Sequence, residues 1–422
     1  MAIDHRQILR PSEPPSAPSV VAASDPFELW RLRALSHEEF AALGTSDGEL
    51  SREQLRYLAA YNLLAPTSHN TVPQRFLFSR AGNALELCVD REVILSASDP
   101  LGRQASISIG CGITNLVYAA RCYGLDAAVE LFDSASSAIS PSRAEEPRYT
   151  RVARIQFRRG LVSESAQFQD ADGWLQAMLN RRSVRADYNA TVALPAALVN
   201  VLNAMMRARY SQLEFHLVSD APTLGFLGDL QELADSTALS REDFSAELGG
   251  WLIENDSESP LGMRGREHGL SDELTLTVQR RLQSEIRLRP EEVSGLARGG
   301  NIGIRSSSAV AILLAPRDDL QHRILAGRAF EELVLTLHRN HFVTAMHAAM
   351  TEIESVNLAL QARLAARGRP VVVFRMGQPL DASDAQRPHS SRPSVNDVTL
   401  TEGLLSLLPP RPASMPPASR AV

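Results

Sequence analysis

The sequence predicts an α+β protein in which one helix-and-strand unit occurs twice, the second copy carrying a long insertion. Three observations lead there. The apolar set Ile113, Leu116, Val117 and Ala120, spaced i, i+3, i+4, i+7, recurs as Phe330, Leu333, Val334 and Leu337; each pair is 217 residues apart, as are Gly110 and Gly327. Each set is one buried face of an amphipathic helix. Each helix leads into a β-like run that closes its half, VARIQF at 152–157 and VVVFRMG at 371–377. Finally, the helical pattern REQLRYLAAYNLL (52–64) precedes RFLFSR (75–80), just as ALVNVLNAMMRA (197–208) precedes LEFHLV (213–218). Three matches in the same order point to duplication.

Taken in order, residues 1–25 are rich in Pro, Ser and Ala and read as a tail, as do 401–422. Between them, one module is expected over 26–165 and a second over 166–400. In the first, RFLFSR is followed almost at once by ALELCVD (84–90). In the second, LEFHLV and AVAILLA (309–315) are separated by the polar, charged stretch 219–308, whose centre at 235–300 is expected to form a lid. Long insertions inside compact domains are commonly lids or binding segments. The pattern around Phe244, Leu248, Trp251 and Leu252 predicts helix there.

Composition removes several classes. Apolar residues make up 44% and charged residues 22% of 422, ordinary globular usage. No apolar run approaches the ~18–20 residues that span a bilayer, and the N-terminal stretch has no apolar signal region, so a cytoplasmic protein with no membrane partner is expected. All 43 Lys-plus-Arg positions are arginine, so no lysine is available for a Schiff base or a phosphate-binding P-loop. The net charge of −6 gives no nucleic-acid footprint. Cys88, Cys111 and Cys122 have no paired spacing and read as small buried hydrophobes.

Two segments carry chemistry. APTSHNTVPQRF (65–76) is a turn dense in hydrogen-bonding groups between a helix and a strand. NRRSVRADY (180–188) sets Arg181, Arg182 and Arg185 around Ser183. Guanidinium forks suit phosphate by bidentate, charge-assisted bonding. On composition alone a solvated basic face stays open as the alternative.

RRSVR resembles the flavin-phosphate segment of nitroreductase-like flavoproteins, and APTSHN followed by VPQRF is similar to that family's P-[ST]-x-x-N-x-Q-P-W-R-F segment beside the flavin ring. The order of the two segments, their placement in different halves, SIGCGITNLVYAARCYGL (108–125) and GRPVVVFRMGQP (368–379) resemble the single-chain Acg-type branch. There two nitroreductase modules are fused into an intramolecular pseudo-dimer with a lid. The resemblance covers roughly 45–400 and implies noncovalent FMN. It implies that Arg181, Ser183 and Arg185 hold the phosphate, that Pro66, Thr67, Ser68 and Asn70 border ring and ribityl chain, and that Arg392 is the C-terminal arginine of the site. FVTAMHAA (342–349) would supply Thr344, Ala345 and Met346 beside the flavin.

The sequence departs from the family pattern where Val72 and Gln74 replace its Gln and Trp. The equivalents of the two motifs in the opposite halves, ELWRLRALS (28–36) and ARYSQLEF (208–215), lack the pattern, so one composite site is expected and its twin is lost. GCG at 110–112 is not a dinucleotide fingerprint, and His341 and His347 do not form a ligand pair, so no metal is expected. His69 reads equally as a substrate donor or a structural hydrogen-bonding group. The implied reaction is hydride transfer through flavin from NADPH or NADH to a small electron-poor acceptor, with no side-chain acid assigned. The alternative is a lid-closed protein that sequesters FMN. A monomer or a homodimer is expected.

Overall fold

The computed structural model describes residues 32–44, 49–79, 83–132, 139–142, 146–159, 170–284 and 286–401. The expected tails at 1–25 and, past residue 401, at 402–422 lie outside them, as does the start of ELWRLRALS.

The first half runs α1 (His37–Ala42), α2 (Arg52–Leu63), β1 (Gln74–Phe78), β2 (Ala84–Asp90), α3 (Arg103–Cys122), β3 (Leu125–Leu131) and β4 (Tyr149–Arg159). Ser51 caps α2 in a reciprocal box with Gln54. The Asp99 carboxylate accepts from the Gln104 and Ala105 amides at the start of α3. The four strands form an antiparallel sheet in the order β1-β2-β4-β3.

The second half begins with α4 (Ala171–Asn180), α5 (Ala196–Arg209) and β5 (Glu214–Val218). The insertion follows as α6 (Ala221–Leu239), α7 (Glu242–Trp251), the short parallel pair β6 (Leu252–Ile253) and β7 (Met263–Arg264), α8 (Asp272–Leu282) and α9 (Pro290–Arg305). Then come β8 (Ala309–Ala315), α10 (Leu320–Arg339), β9 (Val343–Met346), α11 (Ala349–Glu352), α12 (Glu354–Arg363) and β10 (Arg369–Gly377). The second sheet is again antiparallel, ordered β5-β8-β10-β9, so strand for strand it has the connectivity of the first. β2 and β8, buried at every residue, are the inner strands that follow the opening strand of each sheet.

The halves meet along α3 and α10. Gly110 and Gly327 face each other at the crossing: a β-carbon on Gly110 would lie 2.9 Å from the Gly327 Cα and collide with the Ile324 carbonyl. One on Gly327 would collide with the carbonyl of Ile107, itself 217 residues before Ile324. The same pair of contacts, exchanged, is what a local two-fold relation between the helices produces. Cys111 donates its thiol to the Gly327 carbonyl at 3.3 Å, and Thr114 its hydroxyl to Arg328 at 3.1 Å.

The cores interlock. Ile324, Leu335, Val395 and Val398 join the first half's apolar core, while Ala65, Ile107 and Cys111 join the second's. The C-terminal segment crosses to the first sheet, where Phe76 donates to Val398 and Leu400 donates back to Phe76. Among the described residues no helix is long and apolar enough to cross a membrane.

Candidate functional site

The turn after α2 is strained. His69, Asn70 and Val72 all have positive φ, at 49°, 54° and 44°, a region costly for side-chain-bearing residues and most of all for a β-branched one. Neighbours hold it there. Thr67 Oγ1 accepts from the Val72 amide at 3.3 Å, and Arg75, paired with buried Asp90 at 2.8 Å, donates to the Val72 carbonyl. The Asn70 amide nitrogen donates to Pro260, Gly262 and Ser391, and its oxygen accepts from Arg392 at 2.6 Å. Asn70 therefore ties turn, insertion and C-terminal segment together. Ser68 donates to Gln104.

The arginine segment leaves α4 extended and pairs with β9: Ser183 bridges Thr344, and the Val184 amide donates to the Thr344 carbonyl at 2.9 Å. Residues 181–185 thus lie beside Val343–Met346. Arg181 is buried, donates to the Leu64 carbonyl at 2.9 Å and stands 3.5 Å from Glu331. Burial raises the pKa of Glu331, against the opposing pull of Arg181. Arg182 meets His389 at 2.7 Å. Arg392 donates to the carbonyls of Leu63 and Ala65, and burial together with the nearby Arg181 charge pushes it down to about 10. Arg185 projects into open space and donates no hydrogen bond among the described residues.

These parts enclose a cavity of about 710 Å3 whose wall includes Pro66, Thr67, Asn70, Arg181, Ser183, Arg185 and Arg392. Seven arginines line it against two carboxylates, Glu267 and Asp384. Confined like charges of this kind favour an anionic ligand. A second cavity of about 650 Å3 shares His69, Arg185, Met263 and His268 with the first and carries Ala345, Met346 and His347 on its wall. Of the residues expected from the sequence, Ser68 and Thr344 line neither: Ser68 acts through Gln104, which lines the second, and Thr344 pairs with the arginine segment.

The histidines at the junction are uncharged at neutral pH. Burial first, with a smaller contribution from the Arg185 charge, pushes His69 down to about 4 and His268 to about 3. Burial likewise holds His347 well below its ordinary value. Met263, Arg266, His268 and His347 carry no local sequence signal; only the packing of the insertion and of β9 brings them to the site.

The insertion is fastened across the site by Glu247 of α7. Its carboxylate accepts from the Ala97 amide at 2.9 Å, the Ser98 amide at 2.8 Å and the hydroxyls of Ser96 and Ser98. Burial opposes its charge, but those bonds outweigh it and hold the carboxyl below its ordinary 4.5. Because its folded pKa is depressed, the stabilisation is present above that ordinary value and lost as pH falls through the folded pKa. Glu247→Ala is expected to speed proteolysis of the insertion at least tenfold at pH 7.5, as loss of roughly 1.5 kcal/mol or more of charged hydrogen bonding requires. The wild type should approach the variant's rate only as the pH is taken below 4.5. Matching rates at pH 7.5 would show that Glu247 does not hold the insertion.

At the place in the second half equivalent to the turn, Arg209 pairs with Glu332 and with Tyr118 Oη, and Tyr210 Oη donates to Glu332 at 2.7 Å. Side chains fill that position.

No family model and no curated protein matches the chain. Among solved structures it is similar to the FMN-dependent nitroreductase NfnB from Mycobacterium smegmatis in complex with NADPH, at 13% identity over 55% of this chain and 99% of that one, TM-score 0.36. It is also similar to a nitroreductase with bound FMN from Bacteroides fragilis, at 15% identity over 49% and 88%, TM-score 0.28. A putative nitroreductase from Anabaena variabilis covers 70% of this chain, with 69% of its own length matched, at 10% identity and TM-score 0.37.

Proposed function

We propose that the chain is an FMN-binding oxidoreductase of the nitroreductase-like class, built as two fused modules in an intramolecular pseudo-dimer with the insertion as a lid. The observation that carries this reading is the convergence of turn 66–70 and segment 181–185, from opposite halves, on one arginine-rich cavity continuous with the wall at 345–347. The residues fit FMN. Seven arginines against two carboxylates leave room for a phosphate's charge, and His69 Nδ1 and His347 Nε2 are buried polar atoms without a hydrogen-bond partner. In this reading Arg181 and Arg392 grip the phosphate, with Arg182 and Ser183 alongside. Pro66, Thr67 and Asn70 border the ribityl chain, and Arg185, Ala345 and Met346 the ring. One pseudo-dimer then completes its site without a partner subunit.

FMN, when bound, supplies two-electron hydride chemistry between NADPH or NADH and a small electron-poor acceptor. The chain's own residues anchor, orient and exclude water. The neutral His69 and His268 offer hydrogen bonds at the junction without adding charge.

A second reading is favoured by the four bonds of Glu247 and the Asn70 contacts to Pro260 and Gly262: the lid stays shut and FMN is stored. Anaerobic mixing with NADPH and with NADH separates the two. Bleaching of the yellow band within seconds supports turnover. A band that persists in the wild type but bleaches in Glu247→Ala supports storage. Colourless protein that takes up no added FMN overturns both.

A further inference from the structure

The second cavity runs past the junction into the insertion itself. All four insertion helices contribute to its far wall, through Leu239 of α6, Phe244 and Leu248 of α7, Leu282 of α8 and Leu296 of α9. They pack on one another as one apolar cluster and together border a space of about 650 Å3, within the roughly 300–1,000 Å3 typical of small-molecule sites. Gly295 of α9 lines the same space, and a β-carbon added there would meet no atom within 4 Å. The helix backbone faces an opening at that point.

Two of the chamber's cations have carboxylate partners and a third is held by backbone carbonyls. Arg375 donates to the carbonyls of Ala186 and Gly303, Arg103 pairs with Asp318 and Glu352, and Arg241 with Asp243. The remaining cation, Arg185, stands where the two cavities join. The far part therefore offers an anion no partner, while its walls favour apolar surface. Its wall also carries the neighbouring pair Asp235 and buried Gln231, whose Oε1 has no hydrogen-bond partner. Burial pushes the Asp235 carboxyl up to about 7, in keeping with surroundings that disfavour charge.

From this geometry we infer that the insertion encloses a second binding site, for an uncharged, mostly apolar molecule of drug size that lies among the insertion helices and extends one end toward Ala345, Met346 and His347. That such a molecule is the electron acceptor rests on the FMN reading; the existence of the site does not.

The test uses the full chain and the neutral dye Nile red, followed by fluorescence titration alongside FMN uptake and thermal melting. Gly295→Leu places a side chain into the chamber. Gly250→Leu is its control, because a β-carbon there also meets no atom within 4 Å but Gly250 does not line the chamber. Nile red affinity should fall at least tenfold in Gly295→Leu and stay unchanged in Gly250→Leu, with FMN uptake the same in all three proteins. Gly295→Leu should melt no lower than wild type, since leucine is the better helix former. A lower melting temperature would mean the space is not open, and would overturn the inference. Equal dye binding by all three proteins, or none by the wild type, would also overturn it and leave FMN binding intact. Selective dye loss in proteins that take up no FMN would uphold the chamber and remove the flavin reading.

Discussion

Arg181→Ala and Arg392→Ala should each weaken FMN binding tenfold to hundredfold while leaving riboflavin affinity nearly unchanged. The magnitude follows from about 1.5–3 kcal/mol for a hydrogen bond to a charged group, where each 1.4 kcal/mol is a factor of ten. The contrast with riboflavin follows from position, because both guanidinium groups gather at the end of α2, on the carbonyls of Leu63, Leu64 and Ala65. Arg185, on the wall shared by the two cavities, is assigned to the ring end, so Arg185→Ala should weaken both ligands alike. Arg181 carries an additional consequence. Its removal leaves Glu331 fully buried without the opposite charge at 3.5 Å, a situation worth ~3–5 kcal/mol of stability. Arg181→Ala should therefore also melt early, and adding Glu331→Gln should restore the melting temperature but not FMN affinity. Equal losses for FMN and riboflavin in Arg392→Ala would refute the phosphate assignment. Flavin fluorescence quenching measures each affinity directly.

Gly327→Ala should destabilise the protein by roughly 1–3 kcal/mol or more, the range for forcing extra atoms into a packed interior. The methyl has no room, because the obstacle is the Ile107 carbonyl, a backbone atom that cannot rotate away. α10 must move off α3, carrying the Gly327 and Arg328 carbonyls out of reach of Cys111 and Thr114. Gly110→Ala should behave alike, its added methyl directed at the Ile324 carbonyl. Since the turn and the arginine segment come from opposite sides of this crossing, FMN affinity should fall with stability. Gly295→Leu, placed in open space, supplies the comparison. A Gly327→Ala protein that melts with the wild type would mean the helices have slack at their crossing.

Much of the framework could be read from the sequence because periodicity records burial. The stripes of α3 and α10, the runs of β2 and β8 and the pairing of helix with strand at the start of each half all lie where apolar residues face a core on one side or both. β3 was not legible: LDAAVEL sits at a sheet edge with alternate residues exposed, and its apolar content is too thin to mark a strand. α8 was missed for a related reason, since DELTLTVQRRL buries only Thr275 and Leu282. At the site, the two motif segments could be named from their residues, but their meeting could not, because it depends on β9 pairing with residues 183–184 and on the helix crossing. Asn70 shows the limit most sharply. Its motif marks it as a cofactor neighbour, whereas its polar atoms are bonded to the insertion and to the C-terminal segment, contacts distant in sequence.

The repeated sheet order within one chain frees the two halves to change separately. In an assembly of identical subunits every substitution appears on both sides of the axis, so neither side can be altered alone. Here Glu332 anchors Arg209 and Tyr210 on one side, while Glu331, the next residue along the same helix, faces Arg181 on the other. A single stretch of α10 thus serves two unlike environments, and the side closed by its own side chains can drift toward rigidity while the open side remains tunable.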